Sequence, residues 1–329
     1  MQMNSSRRSF LKQTALLSLA GAAAPAARLL AATAPIQRVG PASLKTALNA
    51  YSFLELLNAN AKDASQGLDL FGVCDYAAKQ DFAAVDLTGY FFPGYPQAPD
   101  NAYIARIKRH THDLGLAISG TGVRNDFATA DKAVRAAGVQ VTKLWIEVAA
   151  RLGAPVVRTF AGPQQPIKDW QIAAGHAPRE AVETWMSDAL RECAEHGEKF
   201  GVLVAVQNHG DFLSTGAEHV SLLKRVDHPW CGALVDTGKY LTEDPYADIA
   251  LATPYAMNWQ IKETTQSRLD SPRTDLAKLV GIIHAAGYRG YLPIETLSMG
   301  RKDYDPYTIV AKLHAELRAA IAAVTPTQP

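Results

Sequence analysis

Four oxygen-bearing side chains, Gln207, Asp236, Gln260 and Glu295, each close a short apolar run in the second half of a 329-residue chain. Two carboxylates and two amide carbonyls make an all-oxygen donor set, which suits one hard divalent ion, Mn2+ or Mg2+, with water or substrate oxygens completing its shell. Zinc more often recruits His or Cys, so Zn2+ and Co2+ rank behind the harder ions. Such a cation polarises a bound carbonyl, and a carboxylate beside it can take the proton from the adjoining carbon. Taken singly, each residue has a plainer explanation. An Asp ahead of Thr-Gly is usually a turn former, and a Glu at a strand end is usually an ion-pair partner. Repetition over successive runs is what favours a shared site.

Alternate residues of an extended run share a face. Gln207 and His209 therefore point one way and Asn208 the other, while Gln260 and Lys262 lie together. Glu295 is the candidate base, with Lys262, His209 or Glu263 able to supply a proton. His209 serves equally well as a hydrogen-bonding prop for a neighbour. Arg158, Arg124 with Asn125, Asn49 with Tyr51, Tyr90 and Asn208 read as substrate contacts. Tyr90, Phe91, Phe92 and Tyr95 fall in one connection, where aromatic rings either stack on a sugar or pack the loop itself.

The elements that must position these residues alternate from Leu44 onward. Runs rich in β-formers are expected at 45–53, 83–87, 116–120, 155–160, 202–209, 232–236, 256–262 and 291–297. Helical patterns follow at 68–80, 101–114, 131–152, 179–200, 215–226, 245–252, 274–286 and 306–324. Gly115, Gly153, Gly201 and Gly287 each come directly after or near the end of a helical stretch, where a left-handed cap is wanted. Eight such units predict a single-domain (β/α)8 TIM barrel, an α/β fold whose chemistry sits at the C-terminal ends of its strands. A doubly wound open sheet would want a GxGxxG turn after an early strand, and the chain has none. The connections 88–100 and 161–178 are long enough to carry function.

Lys plus Arg (33) balances Asp plus Glu (32), so there is no basic excess to follow a phosphate backbone, and nucleic acid is not an expected partner. Cys74, Cys193 and Cys231 are too widely spaced for a zinc knuckle and odd in number, so they read as small buried apolar residues.

Residues 1–34 read as a cleavable targeting segment and 35–329 as the barrel. Ser6-Arg7-Arg8-Ser9-Phe10-Leu11-Lys12 precedes a weakly apolar Ala/Leu/Gly run and resembles the twin-arginine export signal. A membrane anchor needs about 20 unbroken apolar residues, and Gly21, Pro25 and Arg28 interrupt this run. The expected location is the periplasm, with no lasting membrane association. The cleavage position and the oligomeric state are left open. The twin-arginine route carries folded proteins, so a metal could be acquired before export.

The strand-end residues resemble those of the xylose isomerase-like barrels, a family that includes sugar-phosphate isomerases and epimerases, keto-sugar epimerases, inosose dehydratases and endonuclease IV. The likeness spans about 44–324 and is strongest from Val202. Gln207-Asn208-His209 matches the family's Glu-Asn-His on strand five, and Asp236 matches its strand-six Asp. Gln260-Ile261-Lys262-Glu263 matches its His-x-Lys-Asp on strand seven, and Glu295 its strand-eight Glu. The resemblance implies a metal-dependent sugar isomerase or epimerase working by proton abstraction next to a carbonyl, with Gln207, Asp236, Gln260 and Glu295 as ligands. Two of those four ligands are changed to glutamine, which predicts a more weakly held metal. It also removes the strand-five carboxylate as a base, which favours single-base chemistry: an aldose–ketose shift, or β-elimination from a keto-sugar or keto-glycoside. Export implies an unphosphorylated or oxidised sugar. A non-catalytic sugar-binding barrel is the other class the two glutamines would suit.

Overall fold

The computed structural model describes residues 34–163, 169–209 and 212–325. The expected export segment lies outside them, apart from Ala34. Eight parallel strands form the sheet: β1 Ser43–Asn49, β2 Ala84–Asp86, β3 Ala117–Gly122, β4 Val156–Phe160, β5 Leu203–Gln207, β6 Cys231–Asp236, β7 Ala256–Gln260 and β8 Arg289–Ile294. Their order is β7-β6-β5-β4-β3-β2-β1-β8. Closure is made by Ile261, just past β7, which forms a parallel bridge with Ile294. Ile261 N donates to Pro293 O at 2.8 Å, and Glu295 N donates to Ile261 O at 3.0 Å. This is the expected (β/α)8 barrel.

Side-chain alternation divides the apolar residues between two cores. Val157, Val204, Val206, Ala233 and Val235 face outward into the large cluster shared with the helices. Val156, Ala205 and Leu234 form a small separate cluster. Ala205 lies two residues before Gln207 and Leu234 two before Asp236, so this cluster is the inner plug on which the polar ends rest. A cavity of about 440 Å³ opens at the other end of the barrel, among Arg38, Val156, Leu203, Met257 and Tyr288, and shares no residue with the polar cluster.

The helices Arg179–Phe200, Pro245–Ala252 and Pro306–Val324 have the expected bounds. Gly115, Gly153, Gly201 and Gly287 all adopt positive φ, between 66° and 79°, as a left-handed cap requires. Other boundaries differ: β5, β7 and β8 end at Gln207, Gln260 and Ile294 rather than at 209, 262 and 297. Strand one stops at Asn49 rather than Phe53, because the Asn49 carboxamide accepts from Tyr51 N at 2.8 Å and starts a 3-10 turn, Ala50–Phe53, that runs into the helix Leu54–Lys62. Asn caps and turns compete with strand continuation in this way. All three cysteines are unpaired and buried, as expected. Among the described residues no helix is long and apolar enough to cross a membrane.

Candidate active site

The barrel seam brings the expected residues together. Gln207 Nε2 donates to Asp236 Oδ2 at 2.7 Å and to Gln260 Oε1 at 2.6 Å. Lys262 follows directly on the closing bridge, and its Nζ lies 3.4 Å from Asp236 Oδ2 and in hydrogen-bond contact with Glu295 Oε1. Asp236 is fully buried, and Gln207, Gln260, Lys262 and Glu295 are each under a tenth exposed. Burial acts to lower the Lys262 pKa, but Asp236 and Glu295 more than offset it, and the ammonium is held above the ordinary lysine value. Glu295 keeps its second oxygen, Oε2, without a hydrogen-bond partner among the described residues.

Beside this cluster stands an aromatic and basic wall. The Tyr51 ring meets Tyr90 edge-on at 6.1 Å and Phe91 at 6.0 Å. The Arg124 guanidinium lies over Tyr90, 4.5 Å from its centroid. Burial first, and then the Glu295 charge, raise the Tyr51 phenol above its usual value, which places that ring within the field of the carboxylate. Phe92 packs instead on Tyr103 and Trp145, and Tyr95 packs on Trp145 and accepts from Arg124 N. The aromatic connection thus divides: Tyr90 and Phe91 join Tyr51 in the wall, while Phe92 and Tyr95 pack on Trp145 and hold the loop.

Several residues expected to touch substrate are hydrogen-bonded to backbone. Asn208 Nδ2 donates to Asp236 O at 3.0 Å, and its Oδ1 accepts from Asp236 N at 2.8 Å. Asn125 clamps Phe160 in the same manner, at 2.6 and 2.8 Å. Asn49 is occupied by Tyr51 N and by Thr88 Oγ1. Arg158 is buried, donates to Val123 O and Tyr90 Oη, and lies 3.9 Å above the Phe160 ring. Gly122 makes room for that guanidinium, since a Cβ there would come within 2.9 Å of it. Glu263 is tied to Arg301 at 2.8 Å. His209 is half-buried, with its ring edge-on to Phe160 at 4.8 Å.

Asp86, at the end of β2, was not expected. Its Oδ2 accepts from Asn258 Nδ2 at 3.0 Å. Burial pushes its carboxyl up to about 6, against the opposing pull of Asn258 and Arg158. Gly120 is what allows this contact across the barrel, since a Cβ there would lie 2.6 Å from Asp86 Oδ2. The available signal was an acid standing inside the otherwise apolar run Ala-Val-Asp-Leu.

The divalent ion expected at Gln207, Asp236, Gln260 and Glu295 does not fit these side chains as they stand. The Gln207 amide turns its N–H groups, not its carbonyl, toward Asp236 and Gln260, and its Oε1 is buried without a partner among the described residues. Inverting that amide alone would set three oxygens face to face, an arrangement that calls for a cation. A cation is already present, the Lys262 ammonium. Among the described residues no three His, Cys, Asp or Glu side chains gather as a metal site.

The chain belongs to the xylose isomerase-like TIM barrel family, which matches residues 74–321. Similar solved structures include a D-psicose 3-epimerase with D-tagatose from Clostridium cellulolyticum, 14% identical at a TM-score of 0.67 and covering 84% of this chain and 99% of its own. A D-allulose 3-epimerase from a Methylomonas species is 16% identical at 0.67, covering 85% and 99%. An L-ribulose 3-epimerase is 17% identical at 0.66, covering 87% and 100%. At these identities the likeness establishes the shared barrel.

Proposed function

We propose that this protein is a sugar isomerase or epimerase that removes a proton from the carbon next to a carbonyl of an unphosphorylated or oxidised sugar. The observation that carries the reading is the buried Asp236–Lys262–Glu295 cluster at the C-terminal end of the barrel seam, next to the wall of Tyr51, Tyr90 and Phe91. Family membership and the sugar epimerases of similar fold support the substrate class. In this reading Glu295 takes the proton through Oε2, the C–H electron pair moves into the carbonyl, and the resulting oxyanion is stabilised by a positive group beside it. Tyr51 and Tyr90 stack on the sugar, and Arg124 reaches its polar edge. His209 is the candidate for returning a proton.

Gln207 cannot act as a second carboxylate base, and this favours moving the carbonyl along the chain. The same residue supports a second reading, loss of a β-hydroxyl or β-glycosyl group from a keto-sugar. Solvent exchange in D2O, read by NMR over a panel of unphosphorylated aldoses, ketoses and keto-glycosides, tests both. Deuterium beside a relocated carbonyl is the expected result, an unsaturated product would transfer the reading to a lyase, and no exchange with any sugar would remove it.

The proposal includes export. Arg7-Arg8 and the apolar run after them support delivery to the periplasm by the twin-arginine route, and a periplasmic enzyme seldom meets sugar phosphates.

A further inference from the structure

We infer that Lys262 is the built-in cation of this barrel: its ammonium takes the place between Asp236 and Glu295 where a divalent ion was expected, and the site works without one. The inference rests on the proposed function only for the catalytic step it gives to Lys262.

The lysine is held in place from several sides. Its backbone N donates to Thr237 Oγ1 at 2.9 Å, and its carbonyl accepts from Thr274 Oγ1 at 2.7 Å. Gly238 leaves a groove for the stem, because a Cβ there would lie 2.9 Å from Lys262 Cγ and 3.1 Å from its Cβ. The head group is 3% exposed and has both carboxylates within reach, so two buried negative charges share one positive charge. Asp236 has little left to offer a metal. Its Oδ1 accepts from Gly238 N at 3.0 Å and its Oδ2 from Gln207 Nε2 at 2.7 Å. A divalent ion would have to displace the ammonium, invert the Gln207 amide and then sit close to a like charge. The chemistry needed is within a lysine's capacity. As Glu295 removes the C–H proton, the ammonium N–H donates to the oxygen on which negative charge develops, and nothing is oxidised or reduced.

If the ammonium and a metal compete for one place, removing the ammonium should create a metal site. Parent protein and Lys262→Met are freed of metal with chelator, dialysed and heated with and without Mn2+, and Mn2+ uptake is followed by EPR. The parent is expected to take up no Mn2+ and to keep its melting temperature. Lys262→Met is expected to melt earlier in chelator and to recover by about 5 °C or more with Mn2+. A parent that is stabilised by Mn2+, or a variant that ignores it, would overturn the inference. If Lys262→Met is not recovered as soluble protein, Mn2+ uptake by the parent decides alone. None of these readouts depends on sugar turnover, so a protein that binds no metal and exchanges no sugar proton would cost the proposed function and leave this inference standing.

Discussion

A carboxyl buried in the barrel interior is penalised whenever it carries charge, and Asp86 shows how strongly. Its folded pKa of about 6 lies above the ordinary value of 3.8, so the folded state binds the proton more tightly than the unfolded one. Well below pH 3.8 both states are protonated and there is no penalty. The penalty grows as pH rises from 4 to 6 and is then constant, at about 3 kcal/mol. Asp86→Asn is therefore expected to raise the unfolding free energy at pH 7 to 8 by an amount of that order, with the gain vanishing near pH 3. Urea titrations at the two pH values measure it, and equal effects at both would contradict the burial argument. A residue such as Asp86 is hard to read from sequence, because whether an acid is buried depends on what faces it. Here the facing residues are Gly120 and Asn258, 34 and 172 positions away in the chain.

At the level of elements, much of the molecule was legible. All eight strands and the long helices follow from alternation and period, since the inner and outer faces of each strand have opposite demands. The four glycines were readable because only a residue without a side chain tolerates the left-handed cap cheaply. Strand ends were less legible. The polar residues there, Asn49, Asn125 and Asn208, have the composition of a ligand shell, but their carboxamides complete backbone hydrogen bonds where the strands stop. Type and spacing do not separate these uses; the partner does. Convergence of Gln207, Asp236, Gln260 and Glu295 followed from strand position alone, whereas the ammonium between Asp236 and Glu295 depended on where a flexible lysine turns. Asn208→Ala leaves the buried N–H of Asp236 unpaired, and its C=O with Lys239 N as donor, and is expected to cost about 1 to 3 kcal/mol. It should also lower turnover more than Asn125→Ala does, because Asn208 holds Asp236 and Asn125 holds Phe160. Urea melts and exchange rates on the two variants make that comparison.

The whole molecule joins a closed scaffold to one chemically active seam. The sheet is continuous from β7 round to β8 and is completed by Ile261, so Lys262 and Glu295 become neighbours only when the barrel closes. The proposed twin-arginine export has its own test. Replacing Arg7 and Arg8 with lysine is expected to leave the full-length precursor in the cytoplasm, as cell fractionation and immunoblotting would show; unchanged periplasmic yield would refute that route.

The account as a whole turns on Glu295 acting as a base on a bound sugar, so the most direct measurement is deuterium exchange by Glu295→Gln, with sugar affinity measured alongside. The amide keeps the size and can still meet the Lys262 ammonium, but it cannot take a proton. Exchange at the carbon next to the carbonyl should fall by about 10²- to 10⁴-fold while the sugar still binds within a few-fold of parent affinity. Exchange at the parent rate in this variant would contradict the mechanism at its centre.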